Sequence, residues 1–288
     1  MFRKKVQVQP SKTRYLSIHH LDWDLKWTIQ FPEAIISRKG LAMTWPEIRP
    51  QWVQTEDNAW EYEWRTTPEY IVEQTRLAKN DPKNNPVREH FIIGLALKTR
   101  ISSAEDGVDL TLTLANESKD TFHDVMSDGG CFAAKNPEFR DHDEVKRSYI
   151  VVNGKPESMA KLHRSKKIRT IYRCDLADYE KAWMNVSEWF WGRSNAVIDR
   201  PAILGAVSYD GSRAVAIGYE CATSAAQNAD GHHCLHSRPS FGDIPPGQSV
   251  TRKGYIRFGS GFPALSEQLG DKLNKLKTSI KADAGDPQ

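Results

Sequence analysis

Strict alternation of apolar and polar residues from Val108 to Leu114 is the feature that most constrains the fold of this chain. An apolar side chain stands at every second position, so an extended segment would have one apolar face and one polar face. The preceding Asp106-Gly107 pair is typical of a tight hairpin turn, and the segment before it, Phe91 to Arg100, is apolar enough for a buried strand. These residues predict an antiparallel β-hairpin.

Strand and turn signals of the same kind recur between residues 15 and 258. The turn pairs Asn153-Gly154 and Asp210-Gly211 separate segments that are rich in β-branched and aromatic residues. Only the segment from Leu265 to Ile280 has apolar residues that step by three and four, the spacing of an amphipathic helix. We therefore predict an all-β protein, an antiparallel β-sandwich of the supersandwich or jelly-roll type, with a C-terminal amphipathic helix.

The predicted domain organisation follows from where these signals begin and end. Residues 1–14 are polar and basic and are expected to form a flexible N-terminus. Residues 15–262 are assigned to a single β-sandwich domain, residues 263–282 to a helix packed on the sandwich, and residues 283–288 to a tail. Neither a repeat of solenoid length nor a low-complexity linker divides the chain.

Composition and charge exclude several classes of partner. The net charge is +3, and no dense Lys/Arg tract with interleaved aromatics is present, so nucleic acid is not an expected partner. No apolar stretch is long enough to cross a bilayer and the basic start lacks an apolar core behind it, so we expect a cytoplasmic protein without membrane contact. Four cysteines in a chain of 288 residues do not suggest a disulfide framework, and we expect reduced thiols.

Signature motifs of the common nucleotide-dependent and hydrolytic enzymes are absent. The sequence contains neither a P-loop nor a Gly-rich dinucleotide-binding turn after a strand. It also lacks the G-x-S-x-G elbow of α/β-hydrolases and the H-E-x-x-H motif of zinc proteases. These absences disfavour ATP, NAD and α/β-hydrolase chemistry.

The segment from Asn228 to Phe241 is the densest cluster of chemically active side chains. If it is extended, His232, Cys234 and His236 share one face, whereas His233 lies on the other face. Imidazole and thiolate ligands suit zinc and similar divalent metals, so His232, Cys234 and His236 could bind a metal. Alternatively, His236 or His233 transfers protons, or these side chains simply fill a pocket at the end of a sheet.

A second group of candidates surrounds a Gly-Gly pair at residues 129 and 130. His123 could assist proton transfer, and Asp128 could bind substrate beside this pair. Arg140 could grip a carboxylate with two parallel hydrogen bonds, or form a surface ion pair.

A third group combines aromatic, acidic and basic residues. Trp189 and Trp191 offer ring faces on which a sugar could stack, although packing in the core is the alternative. Glu220 is a candidate base near the predicted end of a strand, and Arg238 is a candidate for binding an anionic group.

Two stretches resemble known sugar-acting proteins. The first is Val-Asp-Leu-Thr-Leu-Thr-Leu-Ala-Asn at residues 108–116, which follows Asp106-Gly107. The second is Cys-Leu-His-Ser-Arg-Pro-Ser-Phe-Gly-Asp at residues 234–243. It is followed by Ile-Pro-Pro-Gly at 244–247 and by Gly-Tyr-Ile at 254–256. They are similar to β-sandwich proteins of the galactose-mutarotase-like group and to proteins of polysaccharide-degrading bacteria, which implies a β-sandwich and a carbohydrate ligand. The local contexts of that group's catalytic His and late Glu are not present, so no residue role is carried over.

These observations favour a carbohydrate-active enzyme. His236 or His233 would transfer protons in an elimination or an epimerisation on a sugar or uronic acid, with His123 or Glu220 as partner. Arg140 or Arg238 would bind an anionic group, and Trp189 or Trp191 would stack on the ring. The alternatives are a non-catalytic carbohydrate-binding module and a metal-dependent, cupin-like enzyme.

The expected ligand is a small molecule or an oligosaccharide. The chemistry needs no cofactor unless the histidine cluster holds a divalent metal. The sequence leaves the oligomeric state open.

Overall fold

The structure is a computed structural model that describes residues 5–11, 15–38, 40–43, 50–56, 58–72, 76, 93–134, 136–141, 144–177, 191–229 and 233–283. Within these ranges the chain forms two large β-sheets, and every strand pair is antiparallel except for one parallel pair near the edge of the larger sheet. A C-terminal helix, Phe262–Asp283, follows the last strand. None of the helices in these ranges combines the length and apolarity needed to cross a bilayer.

The larger sheet has eleven strands. In chain order they are β1 (Val6–Pro10), β2 (Leu16–His20), β3 (Leu25–Gln30), β4 (Ala34–Ser37), β5 (Gly40–Met43), β10 (Phe122–Asp128), β11 (Cys131–Ala133), β14 (Arg169–Arg173), β15 (Gly192–Val197), β18 (Ala222–Asn228) and β19 (Cys234–Ile244). Strand β19 lies at its centre, with β18 on one side and with β11 and β10 sharing the other side. The parallel pair is β14 and β15.

The smaller sheet has nine strands. They are β6 (Val53–Glu56), β7 (Ala59–Arg65), β8 (Leu95–Ser103), β9 (Gly107–Asn116), β12 (Ser148–Val152), β13 (Lys155–Ser158), β16 (Ile203–Val207), β17 (Ala214–Tyr219) and β20 (Ser249–Gly259). Outside the strands, residues 68–72 are helical and Met159–Lys161 form one 3-10 turn.

The alternating segment that predicts a hairpin forms one. Strand β9 pairs along its whole length with β8 and, on its other edge, with β20. Val108, Leu110, Leu112 and Leu114 are buried, and each buried leucine contributes about 1.5–3 kcal/mol relative to an exposed one. The predicted all-β sandwich is therefore confirmed, and its core lies between the two sheets.

The C-terminal helix covers the outer face of the nine-stranded sheet. Leu265, Leu269 and Leu273 are buried in a small second core with side chains of β16, β17 and β20. The predicted amphipathic helix on the sandwich is thus confirmed, because its apolar stripe needs a sheet face to cover it. The outer face of the other sheet does not carry this helix.

The predicted flexible N-terminus is wrong for residues 6–10, which form β1. This strand pairs in register with β2, and Val6 and Val8 are buried. The Val-Gln-Val-Gln alternation at residues 6–9 is a short strand signal that the polar and basic composition of the segment obscured.

Strand β19 begins later than the extended segment 228–241 that was considered from the sequence. It begins at Cys234, and His233 precedes it with a backbone φ of 45°. Because a left-handed residue interrupts the extended conformation, the face assigned to His233 is not a strand face. Cys234 and His236 do share one face, as predicted.

Candidate active site

The two faces of β19 have different roles. Leu235 and Phe241 belong to the core between the sheets, and the Ser237 hydroxyl donates to the carbonyl of Ala202. Side chains alternate along a strand, so His236 and Arg238 lie on the outer face of the eleven-stranded sheet.

Strand register places a row of side chains on either side of His236. Ala226 of β18 lies directly opposite His236, and Ile171 of β14 lies opposite Ala226. On the other side, Phe132 pairs with Leu235, which puts Cys131 next to His236, and Gln30 of β3 pairs with Cys131. The neighbours of the imidazole within its row are therefore small.

His236 and Glu33 form a buried ion pair. Nδ1 of His236 lies 3.1 Å from Oε2 of Glu33, which stands between β3 and β4. The imidazole is 2% exposed, whereas 23% of the Glu33 side chain reaches solvent. Nδ1 is therefore the ring nitrogen that faces the Glu33 carboxylate.

The charge on His236 is set by opposing effects. Burial alone would lower the pKa of His236, but the carboxylate of Glu33, helped by Asp128, outweighs it and raises this pKa above its ordinary value. The raised pKa favours the protonated imidazole, which is the state that a proton donor needs.

Removal of the Glu33 charge should lower the pKa of His236. In Glu33→Gln we expect the pKa of His236 to fall below 6.5, because burial is then opposed only by more distant charges. Proton–carbon NMR of the histidine rings follows the titration, with the missing resonance in His236→Gln giving the assignment. A pKa for His236 below 6.5 in the unmutated protein would contradict the ion pair.

The raised pKa of His236 also makes the stability of the fold depend on pH. The pair stabilises the fold below about pH 6.5, and this contribution is lost as the pH rises through the raised pKa.

Arg238 is held by Asp128 across the same face. Its guanidinium donates to the Asp128 carboxylate, and Arg238 is 1% exposed while the Asp128 side chain is 17% exposed. The next residue, Gly129, crosses β19 so closely that a Cβ there would lie 2.7 Å from the carbonyl oxygen of Ser237. The hydroxyl of Tyr219 donates to the carbonyl of Gly129. The absence of a side chain at Gly129 thus permits this close approach of the backbone to β19.

Several buried polar atoms on the face of His236 have no hydrogen-bond partner within the described part of the chain. Among them are Oε1 of Gln30 and the hydroxyl of Ser224, whose residues are 6% and 0% exposed. Ser224 pairs with Arg238, so it lies on the outer face, and Gln30 lies on the same face beyond Cys131. Buried polar groups are almost always hydrogen-bonded, so these two atoms are available to a bound molecule or to water.

Trp191 provides an aromatic edge to this face. Its ring centre lies 5.7 Å from that of His236, with the two planes at 86°. Trp191 is half-buried and stands immediately before β15. Its candidate partner Trp189 lies outside the described residues.

Cys131 and Cys234 are joined by a disulfide, so the expectation of reduced thiols is wrong for this pair. Strand β11 lies against β19 and brings their Cα atoms to 5.5 Å, which is within the usual range for a disulfide. Spacing along the sequence gave no sign of this pair, because it is created by the pairing of distant strands. Cys174 and Cys221 are not part of a disulfide.

The metal hypothesis remains a prediction. His232 lies outside the described residues, whereas both sulfurs and a ring nitrogen of His236 lie within 4.8 Å of one another. As thiolates, the two cysteines with an imidazole would be a donor set that suits zinc. The disulfide, however, engages both sulfur atoms.

A thiol count tests the disulfide. Unfolded, unreduced protein should react with Ellman's reagent at two thiols, Cys174 and Cys221, and reduced protein at all four. The variant Cys174→Ser should lower both counts by one and serves as the control. Four reactive thiols without reductant would contradict the Cys131–Cys234 bond.

The remaining predicted site residues lie elsewhere. His123 is on the surface, where its Nδ1 is 2.9 Å from Oδ2 of Asp243. Arg140 is exposed. Glu220 is buried and its carboxylate accepts from the backbone N–H of Lys253 in the nine-stranded sheet. Their proposed roles in catalysis and binding stay predictions, but the structure does not bring them to His236.

His233 is buried, and its carbonyl accepts a hydrogen bond from the N–H of Ala134. That bond ties the residue before β19 to the residue after β11. The contribution of His233 to catalysis also stays a prediction.

Sequence reasoning missed four residues of this face, namely Gln30, Glu33, Arg173 and Ser224. Glu33 follows a proline in a short connection, where a carboxylate has no special signal. The other three stand at the ends or in the interior of strands, and only the strand pairing shows which face they occupy.

A cavity of about 570 Å³ lies on the opposite side of the molecule. It is lined by residues of the C-terminal helix and of the loop before β16, and includes Asp199, Arg200 and Glu267. The Asp199 carboxylate accepts from the N–H groups of Asn153 and Gly154, so it holds the β12–β13 hairpin. The buried ion pairs place the candidate active site on the outer face of the eleven-stranded sheet instead.

Comparison with solved structures finds proteins of the group that the sequence resembles. A galactose mutarotase related enzyme from Lactobacillus acidophilus is 9% identical, with a TM-score of 0.48 over 88% of this chain and 97% of that one. A galactose mutarotase-like protein from Lactobacillus casei is 7% identical, with a TM-score of 0.46 over 88% and 99%. A putative aldose 1-epimerase from Escherichia coli is 7% identical, with a TM-score of 0.41 over 88% and 99%.

No protein-family model matches the chain, and no curated protein sequence matches it either. The identities to the solved structures are too low to transfer a residue role. The case for a function therefore rests on the geometry around His236.

Proposed function

We propose that this protein is a carbohydrate-active enzyme that transfers protons to and from a sugar by means of His236, in a reaction of the epimerase type. The observation that carries the proposal is the buried pair of His236 and Glu33, set in a sheet face with unsatisfied polar atoms and an aromatic edge. Acid–base catalysis needs a proton donor and a nearby acceptor in one partly dry site.

The geometry suits a reaction at hydroxyl and ring oxygens. His236 as a cation would give its proton to the ring oxygen of a cyclic aldose while a carboxylate, Asp128, accepts the proton of the anomeric hydroxyl. The bond between the anomeric carbon and the ring oxygen then breaks, and the open-chain aldehyde forms. Rotation and ring closure with the protons returned would give the other anomer, so that no oxidant or cofactor is consumed.

The charge of His236 favours epimerisation over elimination. An elimination requires a base strong enough to remove a proton from carbon, whereas the Glu33 carboxylate favours the protonated, non-basic form of His236. Trp191 and Gln30 would contact the ring face and a hydroxyl group of the sugar. Each of these contacts suits a neutral or an acidic monosaccharide.

Anomer exchange measured by NMR tests the proposal. The purified protein should accelerate exchange between α and β resonances of at least one aldose or hexuronate in a panel of gluco-, galacto- and manno-configured sugars. If a sugar binds in calorimetry but its exchange rate stays at the uncatalysed value, the non-catalytic binding module becomes the better description. Absence of both binding and exchange across the panel would refute the proposal.

A further inference from the structure

We propose that Cys131, Cys234 and His236 form a metal site that opens when the disulfide between the two cysteines is reduced, and that this site binds zinc or a chemically similar divalent metal. The metal site rests on these three side chains, whereas its effect on turnover rests on the proposed function.

The pairing of β11 with β19 brings the three side chains together. Ala133 lies opposite Cys234. Two positions further along the antiparallel register, Cys131 lies opposite His236. Cys234 and His236 are themselves two positions apart on β19, so all three residues share the outer face of the eleven-stranded sheet. They are the corners of a triangle on that face.

The donor atoms are close enough to one another for a single metal ion. Both sulfur atoms and one ring nitrogen of His236 lie within 4.8 Å of one another. Zinc has bonds of about 2.3 Å to sulfur and about 2.0 Å to nitrogen, which separates its tetrahedral ligands by roughly 3.5–3.8 Å. Rotation of the reduced cysteine side chains would reach this arrangement without any change in strand pairing.

Burial distinguishes this group from clusters of ligand atoms at the surface. Cys131, Cys234 and His236 are 6%, 2% and 2% exposed. A buried ion is tolerated when an opposite charge balances it. The two negative charges of a pair of thiolates would balance the charge of a divalent metal.

Gln30 gives a second and independent indication of a ligand. It lies opposite Cys131 in β3, on the same face of the sheet. Its Oε1 atom is buried and has no hydrogen-bond partner among the described residues. Two cysteines and one histidine leave one tetrahedral position of zinc open. A water molecule in that position would donate a hydrogen bond to Oε1 and so satisfy it.

The redox state of the cysteines decides whether the site exists. The thiolate is the form of cysteine that binds a metal, and the disulfide joins both sulfur atoms to each other instead. A dithiol reductant breaks the S–S bond by giving two electrons and two protons to the cysteines, and is itself oxidised to a disulfide. Metal binding then releases the two thiol protons, together with the extra proton of a protonated imidazole.

A metal on His236 would stop the proposed reaction. The proton donor in that reaction is His236, and a ring nitrogen that binds a metal carries no proton to transfer. The reduced protein should therefore lose anomer exchange when zinc is added, whereas the unreduced protein should keep it. Zinc would thus inhibit the enzyme only under reducing conditions.

Cobalt(II) binding tests the metal site without any need for turnover. Thiolate ligands give bound cobalt a charge-transfer band in the near ultraviolet, which oxygen and nitrogen ligands do not. Protein reduced with a phosphine under argon should bind one cobalt ion per chain with this band, and added zinc should remove the band. The unreduced protein should show no such band.

Substitutions identify the ligands, and competition with a chromophoric chelator measures the zinc affinity of each reduced variant. Cys131→Ser and Cys234→Ser should each weaken zinc binding by about 100-fold or more, and His236→Gln should weaken it by about tenfold or more. Cys174→Ser removes a thiol outside the site and should leave the affinity within about twofold.

Urea unfolding shows that the folded protein binds the metal, and it needs no variant. Zinc should raise the unfolding midpoint of the reduced wild-type protein, because a ligand of the native state stabilises that state. The midpoint of the unreduced protein should not change.

The outcomes separate the metal site from the proposed function. The metal site is overturned if reduced protein gives no thiolate band, if unreduced protein binds zinc equally well, or if Cys174→Ser weakens binding as much as Cys131→Ser. If zinc binds through these residues but anomer exchange continues at the metal-free rate, the site stands and its control of turnover is overturned. If no sugar is exchanged in either redox state, the proposed function fails, and the cobalt and zinc measurements still decide the metal site.

Discussion

His236→Gln should lower the rate of anomer exchange by a factor of about 10² to 10⁴, the usual contribution of a positioned general acid. Glutamine keeps much of the size and hydrogen-bonding capacity of the imidazole but carries no transferable proton. The buried position of His236 beside Glu33 gives the reason for an effect of this size. The measurement is the exchange rate at saturating sugar, so that a change in binding is not mistaken for a change in the chemical step.

A second histidine provides the matched control. The Nε2 atom of His19 lies 2.9 Å from the carboxylate of Asp24, so this residue is also part of a histidine–carboxylate pair, but it stands on β2 and outside the candidate site. His19→Gln should leave the exchange rate unchanged within a factor of about two. An unchanged rate in His236→Gln, with a normal rate in wild-type protein, would remove His236 from the mechanism.

Asp128→Asn should reduce the free energy of unfolding by about 3 kcal/mol or more, because it leaves the guanidinium of Arg238 buried without its carboxylate. Arg238 is 1% exposed, so water cannot replace the lost partner. Urea unfolding monitored by tryptophan fluorescence measures the change, provided that the slope with urea stays constant.

Asp243→Asn is the comparison for this stability effect. Asp243 pairs with His123 on the surface, where the two side chains are 53% and 42% exposed. Exposed pairs of this kind contribute no more than about 1 kcal/mol. If both substitutions reduce the free energy of unfolding by the same amount, the buried Arg238–Asp128 pair does not stabilise the fold more than the exposed pair does.

The outer face around His236 was predictable only in part. The sequence identified the 228–241 segment and the shared face of Cys234 and His236. It did not identify Glu33 as the partner of His236, because the two residues meet only when β19 takes its place at the centre of the sheet. It favoured His123 and Glu220 as partners, and the structure brings neither to His236.

The expectation of reduced thiols also failed because strand pairing was not known. The expectation of reduced thiols was drawn from the number of cysteines in a chain of this length, which is a property of the whole chain. Whether Cys131 meets Cys234 depends on the register of β11 against β19. No local pattern encodes that register.

What the sequence alone determined is the class of structure, because the signals for it are local. Period-two alternation in β9, the turn pairs before and after it, and the three- and four-residue spacing of the last helix each act within a few residues. What only the tertiary structure decided is which strands are neighbours and therefore which side chains share a site. The pairing that puts Arg173, Ser224, His236 and Glu33 on one face joins strands far apart in the chain, and it is selected by the packing of two whole sheets.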